Sequence, residues 1–243
     1  MHNDVVSTPG FVPVFSRAIG SWHISVGRRP FNRPALAAHY DARAAGWQDT
    51  VDRFGFGQAY RRLLRPILEG ACSTPQQAPL RVLDAGIGTG AMSEALASQA
   101  VRSVDLHGVD LSEKMLAQAR HRLESQVGSL TLRAADLDAL PYPDGAFDMV
   151  LAAHVIEHLV EPDRALREIS RVLKPGGVVV AVVTRASMAG ALIQLMWRTH
   201  RVEPARARAW FKQAGLVSVE AIAFAKGTRA RGMSVGYVAR KPL

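Results

Sequence analysis

From residue 80 onward, short apolar runs alternate with amphipathic stretches. The runs at 81–85, 104–110, 130–134, 147–152 and 178–184 predict five short strands, the last of them continuously apolar. The stretches at 91–99, 112–125 and 162–173 predict helices between them. Apolar strands joined by helices predict a parallel sheet covered on both faces, with right-handed crossovers. Residues 187–198 and 204–214 predict two further helices, and 216–224 with 233–239 a closing pair of strands. Pro175-Gly176-Gly177 reads as a stop signal before the fifth strand.

The first 79 residues follow a different pattern. Residues 1–34 read as irregular, because Pro9, Gly10, Pro13, Gly20, Gly27, Pro30 and Pro34 punctuate them too often for a long helix. They still carry Phe11, Phe15, Ile19, Trp22 and Ile24, which predicts a segment packed on the body or on a partner. Residues 35–48 and 52–70 predict helices; in the second, Tyr60, Leu63, Leu64, Ile67 and Leu68 recur at helical spacing. Residues 72–79 read as a linker. The chain thus divides into an N-terminal extension with a helical lid, 1–79, and a strand–helix domain, 80–243.

Composition supports a folded globular chain. Of 243 residues 48% are hydrophobic and 21% charged, which argues against disorder, a fibre or a coiled coil. No apolar run is long enough to span a membrane, and no secretory signal is read, so the expectation is a cytoplasmic protein without stable membrane insertion. The lone Cys72 excludes an internal disulfide framework and a zinc ribbon. The formal charge of +9 raises nucleic-acid or anionic-membrane binding. Its distribution weakens that reading. Residues 80–197 hold 11 basic residues against 14 acids, and the excess sits at the two ends. Nucleic acid is not the expected partner.

The chemistry concentrates after the first strand. Asp84-Ala85-Gly86-Ile87-Gly88-Thr89-Gly90 follows a strand and opens a helix. Glycines let the backbone turn tightly and a ligand approach closely. The helix start beyond them offers free N–H groups at the carboxyl edge of the sheet, where ligands bind. With Ala91, Gly86 and Gly88 also satisfy the dinucleotide pattern, which keeps a nicotinamide-dependent oxidoreductase open. Asp84 before the first glycine, Gly90 after the second, and Asp136 after the third strand point elsewhere.

These residues resemble the motifs of class I S-adenosylmethionine-dependent methyltransferases. The glycine string resembles the first motif, Asp110 to Leu116 the second, and Ala135-Asp136-Leu137 with the run to Asp148 the third. The stretch from Ala165 to Gly177 is similar to the helix and turn before the family's fifth strand. The resemblance covers residues 80–184 and is nearest the small-molecule branch that includes quinone-biosynthesis methyltransferases. It implies a doubly wound, mostly parallel, seven-stranded Rossmann-like sheet with helices on both faces, S-adenosylmethionine as cofactor, and methyl transfer to a small aromatic or hydrophobic acceptor. It implies that Asp84, Gly86, Gly88 and Gly90 hold the methionine part and the turn around it. Asp110 would take the ribose hydroxyls. Leu111 and Met115 would pack on adenine, Asp136 and Leu137 would bond its edge, and Ala153 would offer backbone to the methionine end. A non-catalytic subunit that keeps only this shape is a further alternative.

His154-Val155-Ile156-Glu157-His158 also matches H-x-x-E-H, a metalloprotease signature that needs both histidines on one helix face. The match lies after the fourth strand, where the resembling family often has a Glu-His pair, and no third ligand is nominated. No metal is expected. His154 and His158 are the candidate general bases. Substrate-side candidates are Trp22, Tyr40 and Trp47 before the domain, and Trp197 and His200 after it.

Overall fold

The computed structural model describes residues 12–28, 32–71, 78–159, 161–185, 187, 202–225, 227–228 and 230–243. Its body is a seven-stranded sheet. The strands are β3 (Leu80–Ala85), β4 (Val104–Asp110), β5 (Ser129–Ala134), β6 (Phe147–Ala153), β7 (Leu173–Thr184), β8 (Val217–Ala223) and β9 (Ser234–Arg240). Their spatial order is β5-β4-β3-β6-β7-β9-β8. All neighbours are parallel except β9, which runs antiparallel to both β7 and β8. The order reverses between β3 and β6, so the crevice at their carboxyl ends is a topological switch point.

Alternation along each strand sends neighbouring residues to opposite faces. Val82, Leu106, Met149 and Val180 join one core, which also holds α3 (Phe56–Ala71), α4 (Ala91–Ala97) and α5 (Glu113–Leu123). Leu83, Val109, Val150 and Val179 join the other, under α6 (Pro162–Val172) and α7 (Pro204–Gln213). The doubly wound sheet expected from the sequence is therefore observed, with every strand predicted after residue 80 in place. A last short helix, α8 (Ala230–Met233), leads into β9. Among the described residues no helix is long and apolar enough to cross a membrane.

The N-terminal segment corrects the reading made from glycine and proline. Residues 1–34 are not irregular throughout: β1 (Val12–Ile19) and β2 (Trp22–Arg28) form an antiparallel hairpin. Its turn is Gly20-Ser21, with Gly20 at φ +58°. Glycine there supplies the positive φ that a two-residue hairpin turn needs. The two predicted helices are three: α1 (Arg33–Asp41), α2 (Ala44–Arg53) and α3. Asn32 caps α1 by accepting from the Ala35 N–H at 3.0 Å, and Pro34 fits its first turn. Gly55, at φ +70°, separates α2 from α3.

Pro175-Gly176-Gly177 does not stand before the fifth strand but within it. Phe147 pairs with Leu173 and Met149 with Val178, so the extra residues form a bulge in β7. Gly177 is forced by crowding, since a Cβ there would lie 2.8 Å from the Lys174 carbonyl oxygen. Of the predicted helix at 187–198 only Ser187 is described, in a bend, and Trp197 and His200 lie outside the described residues.

Candidate functional site

A cavity of about 760 Å³ opens at the switch point. The turn after β3 forms its floor. Gly86, Gly88 and Gly90 all have positive φ, at +78°, +53° and +83°. Gly86 is packed tightly: a Cβ would lie 2.6 Å from Val155 Cγ2. Gly88 differs, because a Cβ there would meet nothing within 4 Å and would project into open space. Crowding explains one glycine, and exposure of backbone to the cavity explains the other.

Two carboxylates flank this turn. Asp84 is buried at the end of β3 and accepts from Ser93 Oγ at 2.7 Å. Its other oxygen is buried with no partner. Burial pushes its carboxyl up to about 6, opposed by the Ser93 bond and assisted by the charge of Asp110. Asp110 ends β4. Its two oxygens accept from the Gly88 N–H and the Ser112 N–H, each at 2.9 Å. Burial holds its carboxyl above the ordinary range despite these bonds. Ser112 caps α5 by accepting from the Met115 N–H at 3.1 Å, and its hydroxyl also donates to Asp41 at the end of α1. Leu111 and the buried Met115 complete this wall.

The loop after β5 brings Asp136, Leu137 and Asp138 to the same cavity. Both Asp136 oxygens are engaged. One accepts the Asp138 N–H at 3.0 Å, and the other pairs with Arg33 Nη1 at 2.6 Å. Arg33 also pairs with Asp138. The arginine thus ties the start of α1 to this loop.

The loop after β6 supplies the opposite wall, beginning at Ala153. His154 takes φ +56°, unusual for a residue with a side chain. Its N–H donates to the Val182 carbonyl at 2.7 Å, which holds it there. Its Nδ1 lies 3.1 Å from Glu157 Oε1, and its Nε2 3.4 Å from Ser234 Oγ. Glu157 is buried, and the same oxygen accepts from the Thr184 N–H and hydroxyl at 3.0 and 2.9 Å. Burial raises the Glu157 carboxyl, but the bond and charge of His154 and the charge of His158 bring it below its ordinary value. It stays ionised and orients the His154 ring. His158 closes a three-residue 3₁₀ turn, and its Nε2 lies 2.8 Å from the Tyr40 hydroxyl.

This geometry corrects the H-x-x-E-H reading. The segment is a left-handed residue followed by a 3₁₀ turn, so His154 and His158 do not share a helix face. Among the described residues no group of three His, Cys, Asp or Glu is placed to hold a metal.

Helices α1 to α3 roof the cavity with aromatic side chains. Tyr40 meets Trp47 edge-on at 5.8 Å, Phe56 stacks on Tyr60 at 5.6 Å, and Phe56 meets the His154 ring at 5.1 Å. Burial, then nearby carboxylates, push both tyrosine hydroxyls above their ordinary range, so they remain protonated donors. Tyr40 is therefore at the site, as is every residue from Asp84 to His158 that the sequence nominated, except Gly90, which caps α4 just beside it. Trp22 is not. It stands on the hairpin with 76% of its surface exposed and does not line the cavity. Sequence reasoning missed Arg33, Asp41, Ser93, Tyr60 and Ser234. Tyr60 lies on the apolar stripe of α3, and nothing in a stripe distinguishes a hydroxyl that faces a cavity.

Comparison with known proteins agrees with this architecture. Residues 83–181 match the family model described as a methyltransferase domain. The chain is 41% identical over 99 residues to a ubiquinone/menaquinone biosynthesis C-methyltransferase of Geobacter sulfurreducens, covering 40% of this chain and 39% of that protein. It is 30% identical over 169 residues to ajmaline N-methyltransferase of Rauvolfia serpentina, covering 61% and 57%. The chain thus spans less than two thirds of these relatives' lengths. A solved SAM-dependent methyltransferase from Thermotoga maritima shares the fold, with a TM-score of 0.64 and 19% identity over 83% of this chain and 98% of that one.

Proposed function

We propose that the chain is an S-adenosylmethionine-dependent methyltransferase acting on a small aromatic or hydrophobic acceptor, as the match of residues 83–181 to a methyltransferase-domain family model supports. The observation that carries this reading is the unpartnered, buried oxygen of Asp84 beside the open face of Gly88 and the carboxylate of Asp110. A buried acceptor without a donor is costly unless a ligand supplies one. An ammonium group suits Asp84, and a pair of ribose hydroxyls suits Asp110, whose oxygens keep lone pairs beyond the two amides.

In this reading Asp84 receives the amino group of the methionine part. Gly86, Gly88 and Ala153 offer backbone along it, and Gly90 starts the helix beside it. Asp110 receives the ribose hydroxyls, Leu111 and Met115 cover the adenine, and Asp136 with the Leu137 N–H meets its edge. Arg33 holds Asp136 in place for that contact. The cofactor supplies an electrophilic methyl group on sulfur. The protein's task is alignment of the acceptor for in-line displacement and exclusion of water.

Helices α1 to α3 form the substrate side in this reading, with Tyr40, Trp47, Phe54, Phe56 and Tyr60 enclosing an apolar acceptor. His154 is the general base for an acceptor that begins protonated. Glu157 fixes the proton on Nδ1, leaving Nε2 to accept one from the cavity side. His158 with Tyr40 closes the mouth. The concave, aromatic and acid-lined cavity favours a small molecule over nucleic acid, whose phosphates call for a basic surface.

The test is titration with S-adenosylmethionine by calorimetry, with Asp110→Ala as control. Micromolar binding lost in the variant supports the reading. Folded wild-type protein that binds no cofactor overturns it. Product formation with hydroxylated aromatic acceptors then tests the acceptor class.

A further inference from the structure

The hairpin of β1 and β2 lies apart from the cavity lining, and one of its faces is open. The register pairs Ile19 with Trp22 and Arg17 with Ile24. Cross-strand partners and residues two apart share a face, so these four side chains stand together. Trp22 is 76% exposed, Ile19 54% and Ile24 46%, and Arg17 is exposed beside them. Only six large apolar side chains are exposed among the described residues, and three of them are on this one face. A two-stranded hairpin is marginal in water unless its apolar face is covered. Among the described residues the hairpin packs broadly against no other element.

Charge decides what covers it. Residues 5–32 contain three arginines, Arg17, Arg28 and Arg29, and no acid. The whole chain carries +9. A second copy would bring two such basic segments together, whereas an acidic surface attracts them. Trp prefers the boundary between water and hydrocarbon, and exposed Ile gains by leaving water.

We propose that this hairpin face docks on an anionic lipid bilayer, with Trp22, Ile19 and Ile24 entering the interfacial layer and Arg17 meeting acidic headgroups. The docking is peripheral and needs no membrane-spanning helix. It also places the cavity. Strand β2 ends at Arg28, and Asn32, four residues on, lines the cavity mouth. Ile24, the docked residue nearest to Asn32 in sequence, is eight residues from it, which span at most about 29 Å. A docked hairpin therefore tethers the cavity within that reach of the bilayer, where an apolar acceptor would be dissolved. That last step rests on the methyltransferase reading; the docking does not.

The experiment is flotation of the full chain with vesicles, without cofactor or turnover. Phosphatidylcholine vesicles with about 30% phosphatidylserine should carry the protein, and pure phosphatidylcholine should carry far less. Raising salt from about 0.1 to 0.5 M should weaken binding, because the Debye length shrinks. Trp22→Ser should weaken it about tenfold or more and Arg17→Gln about fivefold, with the thermal midpoint unchanged because both side chains are exposed. Absence of vesicle binding overturns the proposal, as does binding that both variants retain. Dimerisation seen by light scattering and lost in Trp22→Ser, without vesicle binding, would assign the face to a second copy instead. Because no step uses the cofactor, failure here is separate from failure of the methyltransferase reading.

Discussion

Gly88 donates its backbone N–H to the carboxylate of Asp110 at 2.9 Å, joining the turn after one strand to the end of the next. The bond aims the carboxylate across the cavity floor and leaves it lone pairs for further donors. Hydrogen bonds to a charged group contribute about 1.5–3 kcal/mol each. Asp110→Ala should therefore weaken S-adenosylmethionine binding by roughly 10- to 100-fold or more. Calorimetry reads this directly, and an unchanged affinity would remove Asp110 from the site.

The glycines of the same turn should separate stability from binding. Alanine at Gly86 must place its Cβ against Val155, a stiff β-branched side chain, at 2.6–2.8 Å. Overpacking and positive φ together should cost about 2–4 kcal/mol, seen as a lowered thermal midpoint. Alanine at Gly88 meets no protein atom. It should cost only the φ strain, about 1 kcal/mol, but project into the ligand's space and weaken cofactor binding. Equal effects of the two substitutions on both readouts would contradict this division.

Asp84 gives the pH dependence. Burial pushes its carboxyl up to about 6 in the folded protein, against about 3.9 for a free aspartate. Between about pH 4 and 6 the folded state keeps a proton that the unfolded chain has released. Its contribution therefore lowers stability as pH rises through that window and is flat above it, by on the order of 2–3 kcal/mol in total. Asp84→Asn should remove this slope from thermal unfolding curves. A cationic amino group arriving beside Asp84 favours the ionised form. Cofactor binding near pH 5.5 should then release a proton, detectable by calorimetry in buffers of different ionisation enthalpy. Release that is absent at pH 5.5, or unchanged in Asp84→Asn, would count against this contact.

His154 can be tested without disturbing its backbone. Asn tolerates the left-handed conformation better than most residues. His154→Asn should fold, bind cofactor at wild-type affinity, and lower kcat by about 10²–10⁴-fold if the ring removes a proton from the acceptor. Wild-type kcat in this variant would leave the ring a structural role only.

The strand–helix half of the chain was readable because burial on both faces writes itself as continuous apolar runs, as at 178–184. The glycine turn and the aspartates that end β3 and β4 were readable because their spacing repeats a known arrangement. The hairpin was not read, although Gly20-Ser21 between apolar residues is a hairpin signal. Counting Gly and Pro as breakers hid the fact that Gly20 makes the turn instead of ending an element. The backbone conformation of His154 was not legible for a related reason. A five-residue pattern carries no sign of the positive φ imposed by the Val182 carbonyl, which is distant in sequence. Arg33, Tyr60 and Ser234 reach the cavity through tertiary packing, and nothing local to them announces it.

Val155 occupies the space that a side chain on Gly86 would need. The turn after β3 and the loop after β6 consequently have no clearance between them. In the proposed reading one supports the pocket of the donor and the other carries the ring that faces the acceptor. Thermal play in one must be matched by the other, so the spacing between two reactants is held to a common tolerance by a contact already made before either arrives.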